Sequence, residues 1–132
     1  MNTLGKQELR VSGLPEPVSH YTDAVRWNDL LFVSGCAAIG SAGEVIAPGD
    51  AAAQARVVHE YLGAALRGAG TDFQHVLKVT VFLTDVGTRG VVNEVRKEFF
   101  GDALPASTLI GVDSLVLDGL VVEVDAVAGI PS

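Results

Sequence analysis

The stretch LPASTLIGVDSLVLDGLVVEVDAVA, residues 104–128, decides how this chain reads. Residues 106–112 and 120–128 are two β-like runs, with a turn region between them and Pro105 at the entry. In the second run Glu123 and Asp125 alternate with apolar residues, so both carboxylates point to one face of a sheet. That face is either wetted by solvent or lines a pocket or an interface. In a pocket, desolvation raises a carboxyl pKa and equips the group to handle a proton.

Working back from this stretch, residues 88–100 carry an apolar stripe at Val92, Val95 and Phe99, with Asn93, Arg96 and Lys97 on the polar side. This spacing predicts a helix that ends at Gly101-Asp102. Before it, VLKVTVFL (residues 76–83) is dominated by β-branched residues and predicts a central strand, which residues 84–88 break. A longer helix is predicted from Asp50, whose carboxylate suits an N-cap. Apolar residues recur at Ala51, Ala55, Val58, Leu62 and Ala65, while Arg56, His59, Glu60 and Arg67 fall elsewhere. Gly68 and Gly70 supply the stop.

The first third is strand-like. Residues 7–11 predict a first strand, and residues 13–17 (GLPEP) a loop. Asn28-Asp29 between two strand-like runs reads as a hairpin turn. Residues 30–34 (LLFVS) are mostly apolar, which predicts burial on both faces. Gly35 then marks a bulge or a close backbone approach. The order β, β-hairpin, α, β, α, β, β predicts an α+β domain over residues 1–132: two helices on one face of a mixed or antiparallel sheet.

Composition narrows the function classes. Apolar residues make up 48% and charged residues 19%, as expected of a folded domain. No apolar run approaches the ~20 residues of a membrane span, and the first ten residues, MNTLGKQELR, contain no signal-like apolar segment. Nine basic against sixteen acidic residues give a net charge of −7, without a basic cluster, which argues against nucleic acid as a partner. The single cysteine, Cys36, forms no internal disulfide and fits a cytoplasmic location. Few aromatics and many small apolar residues suggest oligomerisation.

Motif spacing excludes several chemistries. His20, His59 and His75 are far apart and no Cys cluster exists, so no metal site is expected. Phosphate-binding glycine motifs and a hydrolase nucleophile elbow are absent. Cys36 is a packing residue or a nucleophile. Tyr21 either caps the core or meets a ligand. Asn93 reads as a surface amide or a site residue.

Taken together, the blocks resemble the RidA family, also called the YjgF/YER057c/UK114 family, over nearly the whole chain. They are Tyr21 after a Pro-containing loop, DLLFVSG (29–35), GEV (43–45), AAQAR (52–56), VLKVTVFL (76–83), VN (92–93) with EFF (98–100), LPA (104–106) and VEV (122–124). The resemblance implies a chorismate-mutase-like α+β fold and a homotrimer with a barrel-like core of three sheets. It further implies small-molecule sites in the clefts between subunits, hydrolysis of enamines and imines such as 2-aminoacrylate, and no cofactor. Carried over, Glu123 falls on the water-handling Glu, Tyr21 on the pocket Tyr, Gly35 on the ligand-lining Gly and Asn93 on an Asn of the second helix. Cys36, Ser107 and Thr108 would line the site beside them and orient the substrate.

The chain departs from the pattern at Ser107. Enzymatic members carry there an Arg that grips the substrate carboxylate through two parallel hydrogen bonds. Ser107 offers no charge. His20 and Cys36 also differ from the commonest family residues. HYTDAVR (20–26) is similar to Arg-lacking branches, including the 2-aminomuconate deaminases. The expected function is therefore deamination of a specialised metabolite, such as a 2-aminomuconate-like compound, rather than of 2-aminoacrylate. Arg26, Arg89 and Arg96 are candidates to return the missing cation. The alternative is a non-catalytic trimer that binds a metabolite or partner.

Overall fold

The turn at Asn28-Asp29 forms as its residue types suggest, with Asn28 at φ 53°, a left-handed conformation that Asn tolerates. It joins β2 (Ala24–Trp27) to β3 (Leu30–Ala37) in antiparallel register, and β1 (Lys6–Leu9) adds to the outer side of β2. The computed structural model describes residues 5–132. The stretch expected to lack a signal-like segment includes residues 1–4, which lie outside the described residues.

Helix α1 (Ala51–Gly68) starts where Asp50 was expected to cap it. The Asp50 carboxylate accepts the Ala53 N–H at 3.0 Å. Beyond Gly68, Gly70 takes φ 84° and turns the chain away. Strand β4 (Val76–Leu83), helix α2 (Arg89–Phe100), strand β5 (Ala106–Gly111) and strand β6 (Val122–Gly129) complete the chain. The sheet order is β1-β2-β3-β6-β4-β5, antiparallel except for the β4–β5 pair. This is a mixed-sheet α+β fold with two helices. Among the described residues no helix is long and apolar enough to cross a membrane.

Strand periodicity builds the core. Val122, Val124, Ala126 and Ala128 of β6 and Val79, Val81 and Leu83 of β4 are buried against Val58, Leu62 and Leu66 of α1 and Val92 and Val95 of α2. Truncating one such leucine to alanine costs roughly 2–5 kcal/mol. The other sheet face carries Glu123, Asp125 and Val127 of β6, all half-buried.

Three local expectations are corrected. Residues 30–34 are not buried on both faces: Leu31 and Val33 are buried, but Leu30 is 38% and Phe32 45% exposed. Both helices cover the same face, so the alternating residues of β3 remain uncovered in a single chain. His59 does not fall away from the core but is fully buried. Its Nδ1 lies 2.7 Å from the Ala55 carbonyl oxygen, its ring stacks on Phe99 at 5.4 Å, and burial lowers its pKa. On α2, Phe100 joins Val92 and Val95 in the core, while Phe99 is only half-buried.

Gln54, which the apolar pattern gave no reason to place inside, is also fully buried. Its amide NH2 donates to the carbonyls of Ile46, Ala47 and Gly119, and its Oε1 accepts the Val121 N–H at 2.8 Å. A single satisfied amide thus fastens α1 to the chain entering β6.

Candidate functional site

Strands β3 and β6 build the site. Their register slips between Val33 and Cys36, the irregularity expected at Gly35. The Glu123 side chain fills the space this creates. A Cβ on Gly35 would overlap the Glu123 carboxylate and stand 2.9 Å from its Cδ, so only glycine permits this seating. Above the carboxylate is a pocket of about 360 Å3.

Three of the expected residues meet Glu123 in this pocket: Tyr21, Gly35 and Cys36. Tyr21 is 46% exposed, and its phenol oxygen accepts the Val18 N–H at 3.3 Å. Cys36 is buried, and burial, reinforced by the nearby charges of Glu123, Asp23 and Asp125, pushes its thiol pKa up to about 12. Burial and a thiol that holds its proton favour Cys36 as a packing residue of the pocket wall. Burial also raises the Glu123 pKa, and the like charge of Asp125 adds to it. Glu123 is therefore a better proton acceptor than an ordinary surface carboxylate.

The sequence reading missed the frame around this floor. Asp23 is buried and accepts from Arg10 Nε at 3.0 Å and from the Val11 N–H at 2.7 Å. Arg10 also donates from Nη2 to Glu16 at 2.8 Å and so holds the loop that carries Leu14, Pro15 and Glu16 into the pocket wall. This pair holds the Glu16 carboxyl below its usual range. Tyr61 enters from α1, where its hydroxyl donates to the Ile39 carbonyl at 2.8 Å. Both residues had a signal: Asp23 opens an apolar strand, and Tyr61 sits three residues after Val58 on the apolar stripe.

The other expected residues lie elsewhere. Asn93 is exposed on α2, and Ser107 and Thr108 are exposed on β5, the sheet's outer strand. None of them lines the Glu123 pocket. Pairing accounts for this. Glu123 is opposite Phe82 on β4, Phe82 is opposite Ile110, and Thr108 is opposite Thr80, which puts Thr108 on the Glu123 side of the sheet but farther along. Ser107 is opposite buried Val79, on the helix side. There its hydroxyl accepts from Arg96 Nη1 at 3.0 Å. The expected set thus falls into two groups: Tyr21, Gly35, Cys36 and Glu123 around one pocket, and Asn93, Ser107 and Thr108 at the α2–β5 edge.

Comparison with known proteins agrees with this architecture. The family model described as Endoribonuclease L-PSP matches residues 12–130. The chain is similar to the 2-iminobutanoate/2-iminopropanoate deaminase of Rattus norvegicus, at 32% identity over 128 residues, covering 97% of this chain and 93% of that protein. A RutC family protein of Pyrococcus horikoshii is 34% identical over 123 residues, covering 93% and 97%. The crystal structure of RidA from the Antarctic bacterium Psychrobacter sp. superposes with a TM-score of 0.87 at 29% identity, covering 94% of this chain and 99% of that one. With the Glu123 strand, the bulged Gly35 strand and both helices inside the matched span, the chain belongs to the RidA/YjgF (Endoribonuclease L-PSP) family.

Proposed function

We propose that this chain is a hydrolase that converts an enamine or imine to a carbonyl compound and ammonia, in clefts between the subunits of a cytoplasmic homotrimer. The observation that carries the reading is the Glu123 carboxylate, seated over Gly35 at the floor of the pocket with its pKa raised by burial. The name of the rat relative, an iminobutanoate/iminopropanoate deaminase, supports the reaction class. The substrate is a specialised metabolite, such as a 2-aminomuconate-like compound, because Ser107 stands where the family resemblance expects a carboxylate-gripping Arg.

The chemistry is hydrolytic and calls for no cofactor. An enamine first tautomerises to its imine. Glu123 takes a proton from water as the water oxygen bonds to the imine carbon, and the imine nitrogen takes a proton from solvent, giving a carbinolamine. Glu123 then gives its proton to the amino nitrogen as the C–N bond breaks and ammonia leaves, while the hydroxyl proton passes to solvent as the C=O bond forms, which restores the Glu123 carboxylate. One water is consumed and one ammonia released per turnover.

Two observations support assembly. Leu30 and Phe32 leave an apolar sheet face exposed, which a single chain has no means to cover. The expected site residues also fall on two separate surfaces of one chain, so a second copy would have to bring them together. Despite the family's description as an endoribonuclease, the net charge of −7 disfavours a polyanionic substrate.

Ammonia release from freshly generated 2-aminoacrylate and from 2-aminomuconate tests the proposal. Release from the second exceeding release from the first is expected. No release above buffer from either would leave a non-catalytic binding trimer as the better account.

A further inference from the structure

We propose that Arg96 supplies the positive charge that binds the substrate's carboxylate on the α2–β5 side of the cleft, with Ser107 holding its guanidinium in place. The inference rests on the reading of the chain as an imine deaminase and names the residue that would select an acidic substrate for it.

Arg96 differs from Arg10 and Arg56 in what surrounds it. Arg10 bonds Glu16 and Asp23, and Arg56 forms a two-pronged pair with Glu98. The acids nearest to Arg96 along α2 are both occupied: Glu94 pairs with Lys97, and Glu98 with Arg56. Arg96, like Arg26, Arg67 and Arg89, has no carboxylate partner among the described residues, but it alone of these bonds Ser107. It is also half-buried, and the loss of water around it lowers its pKa. A guanidinium remains charged under such conditions, so it is a partly desolvated cation without a counter-ion.

One donor is used, from Nη1 to Ser107 Oγ at 3.0 Å. A guanidinium has five donors, so the rest of its planar fork is available to an anion, and a carboxylate matches the fork. Asn93 lies one helical turn before Arg96 and adds an exposed amide to the same helix surface. Arg26 and Arg89, the other candidates, are spent locally: Arg26 Nε donates to the Asn28 carbonyl in the hairpin turn, and Arg89 Nη1 to the Val86 carbonyl before α2. Arg96 alone of the three reaches the strand position at issue.

The test measures binding and turnover separately. Calorimetry compares pyruvate, a carboxylate-bearing probe, with pyruvamide, its uncharged analogue, on the parent, Arg96→Met, Arg96→Lys and the double variant Arg96→Met/Ser107→Arg, with thermal unfolding and oligomer size checked for each. The parent should prefer pyruvate. Arg96→Met should weaken pyruvate binding by roughly 10- to 100-fold, as expected for a lost charge-assisted pair, and leave pyruvamide unchanged. Arg96→Lys should retain part of the preference, and Ser107→Arg in the Arg96→Met background should restore it. In turnover of 2-iminopropanoate generated in the assay, the loss should fall on KM more than on kcat. A parent that shows no preference for pyruvate overturns the inference, as does an Arg96→Met protein that binds pyruvate like the parent. Arg96-dependent pyruvate binding with no ammonia release from any imine upholds Arg96 as the carboxylate group and removes the deaminase reading instead.

Discussion

The β3–β6 pocket and the α2–β5 edge hold the two groups of expected site residues, and they are built in opposite ways. Around Glu123 the backbone itself makes the site. A bulged strand and a side-chain-free Gly35 open the space, and the sheet desolvates the carboxylate. At the other edge Ser107 and Asn93 are exposed side chains, and Ser107 accepts a hydrogen bond from Arg96. On the proposed reading, the proton-handling group stands where one chain partly desolvates it, and the carboxylate-binding group on an edge that a second copy would cover. Proton transfer gains from a fixed, desolvated group, whereas an exposed cation–anion pair is weak until water is excluded.

Substitutions can break this comparison or sharpen it. Glu123→Gln should have the largest effect, lowering kcat by roughly 10²–10⁴-fold, the range for removing a general base. The same change should slightly raise the thermal midpoint at neutral pH. Glu123 is raised in the folded state by burial first and Asp125 second, so its ionised form is disfavoured by folding. That penalty is present above the folded pKa and vanishes below the ordinary carboxyl value, so the gain should disappear in acid. Equal activity in the two proteins would remove Glu123 from the mechanism.

Gly35→Ala comes next. Its methyl would claim the space of the Glu123 carboxylate, and roughly 10²-fold of the activity should go as that group is displaced. A crystal structure with Glu123 unmoved would contradict the account of the pocket. Phe32→Asp should then separate the two regions, because it places a charge on the exposed apolar face without touching the pocket. Light scattering should report a smaller particle, with most turnover lost and the fold intact by circular dichroism. A fully active monomer would show that one chain holds the whole site.

Smaller effects sharpen the picture. Asp125→Asn removes the like charge that raises Glu123, so the acid limb of the kcat/KM profile should move to lower pH while remaining above the usual carboxylate range, because burial persists. Ser107→Ala should change stability by less than about 0.5 kcal/mol, as befits an exposed residue. KM for a carboxylate substrate should still rise a few-fold as the Arg96 guanidinium loses its support.

Much of the framework was legible in the sequence because it depends on short-range rules. The Asp50 cap, the β4 boundaries and the placement of Glu123 and Asp125 on one face follow from local hydrogen bonding and from strand period. Gly35 was legible as a bulge because a glycine inside a strand weakens regular pairing and brings no side chain to pack. Failures came where burial overrides residue type. His59 and Gln54 read as polar positions, yet both are buried: the Ala55 carbonyl of the same helix lies beside His59 Nδ1, and carbonyls of distant loops accept from the Gln54 amide. Phe32 read as buried, yet no element of the same chain covers its face.

What the sequence alone determined is thus the order of elements, the face on which Glu123 and Asp125 stand, and the absence of an Arg after Pro105-Ala106. Only the tertiary structure decided that Gly35 makes room for Glu123, that Asp23 and Tyr61 frame the pocket, and that Arg96, eleven residues from Ser107, bonds the hydroxyl at that position. The division has a physical reason. Periodicity and capping act over a few residues and are written in local pattern, whereas desolvation and charge pairing depend on which distant elements the sheet order brings side by side.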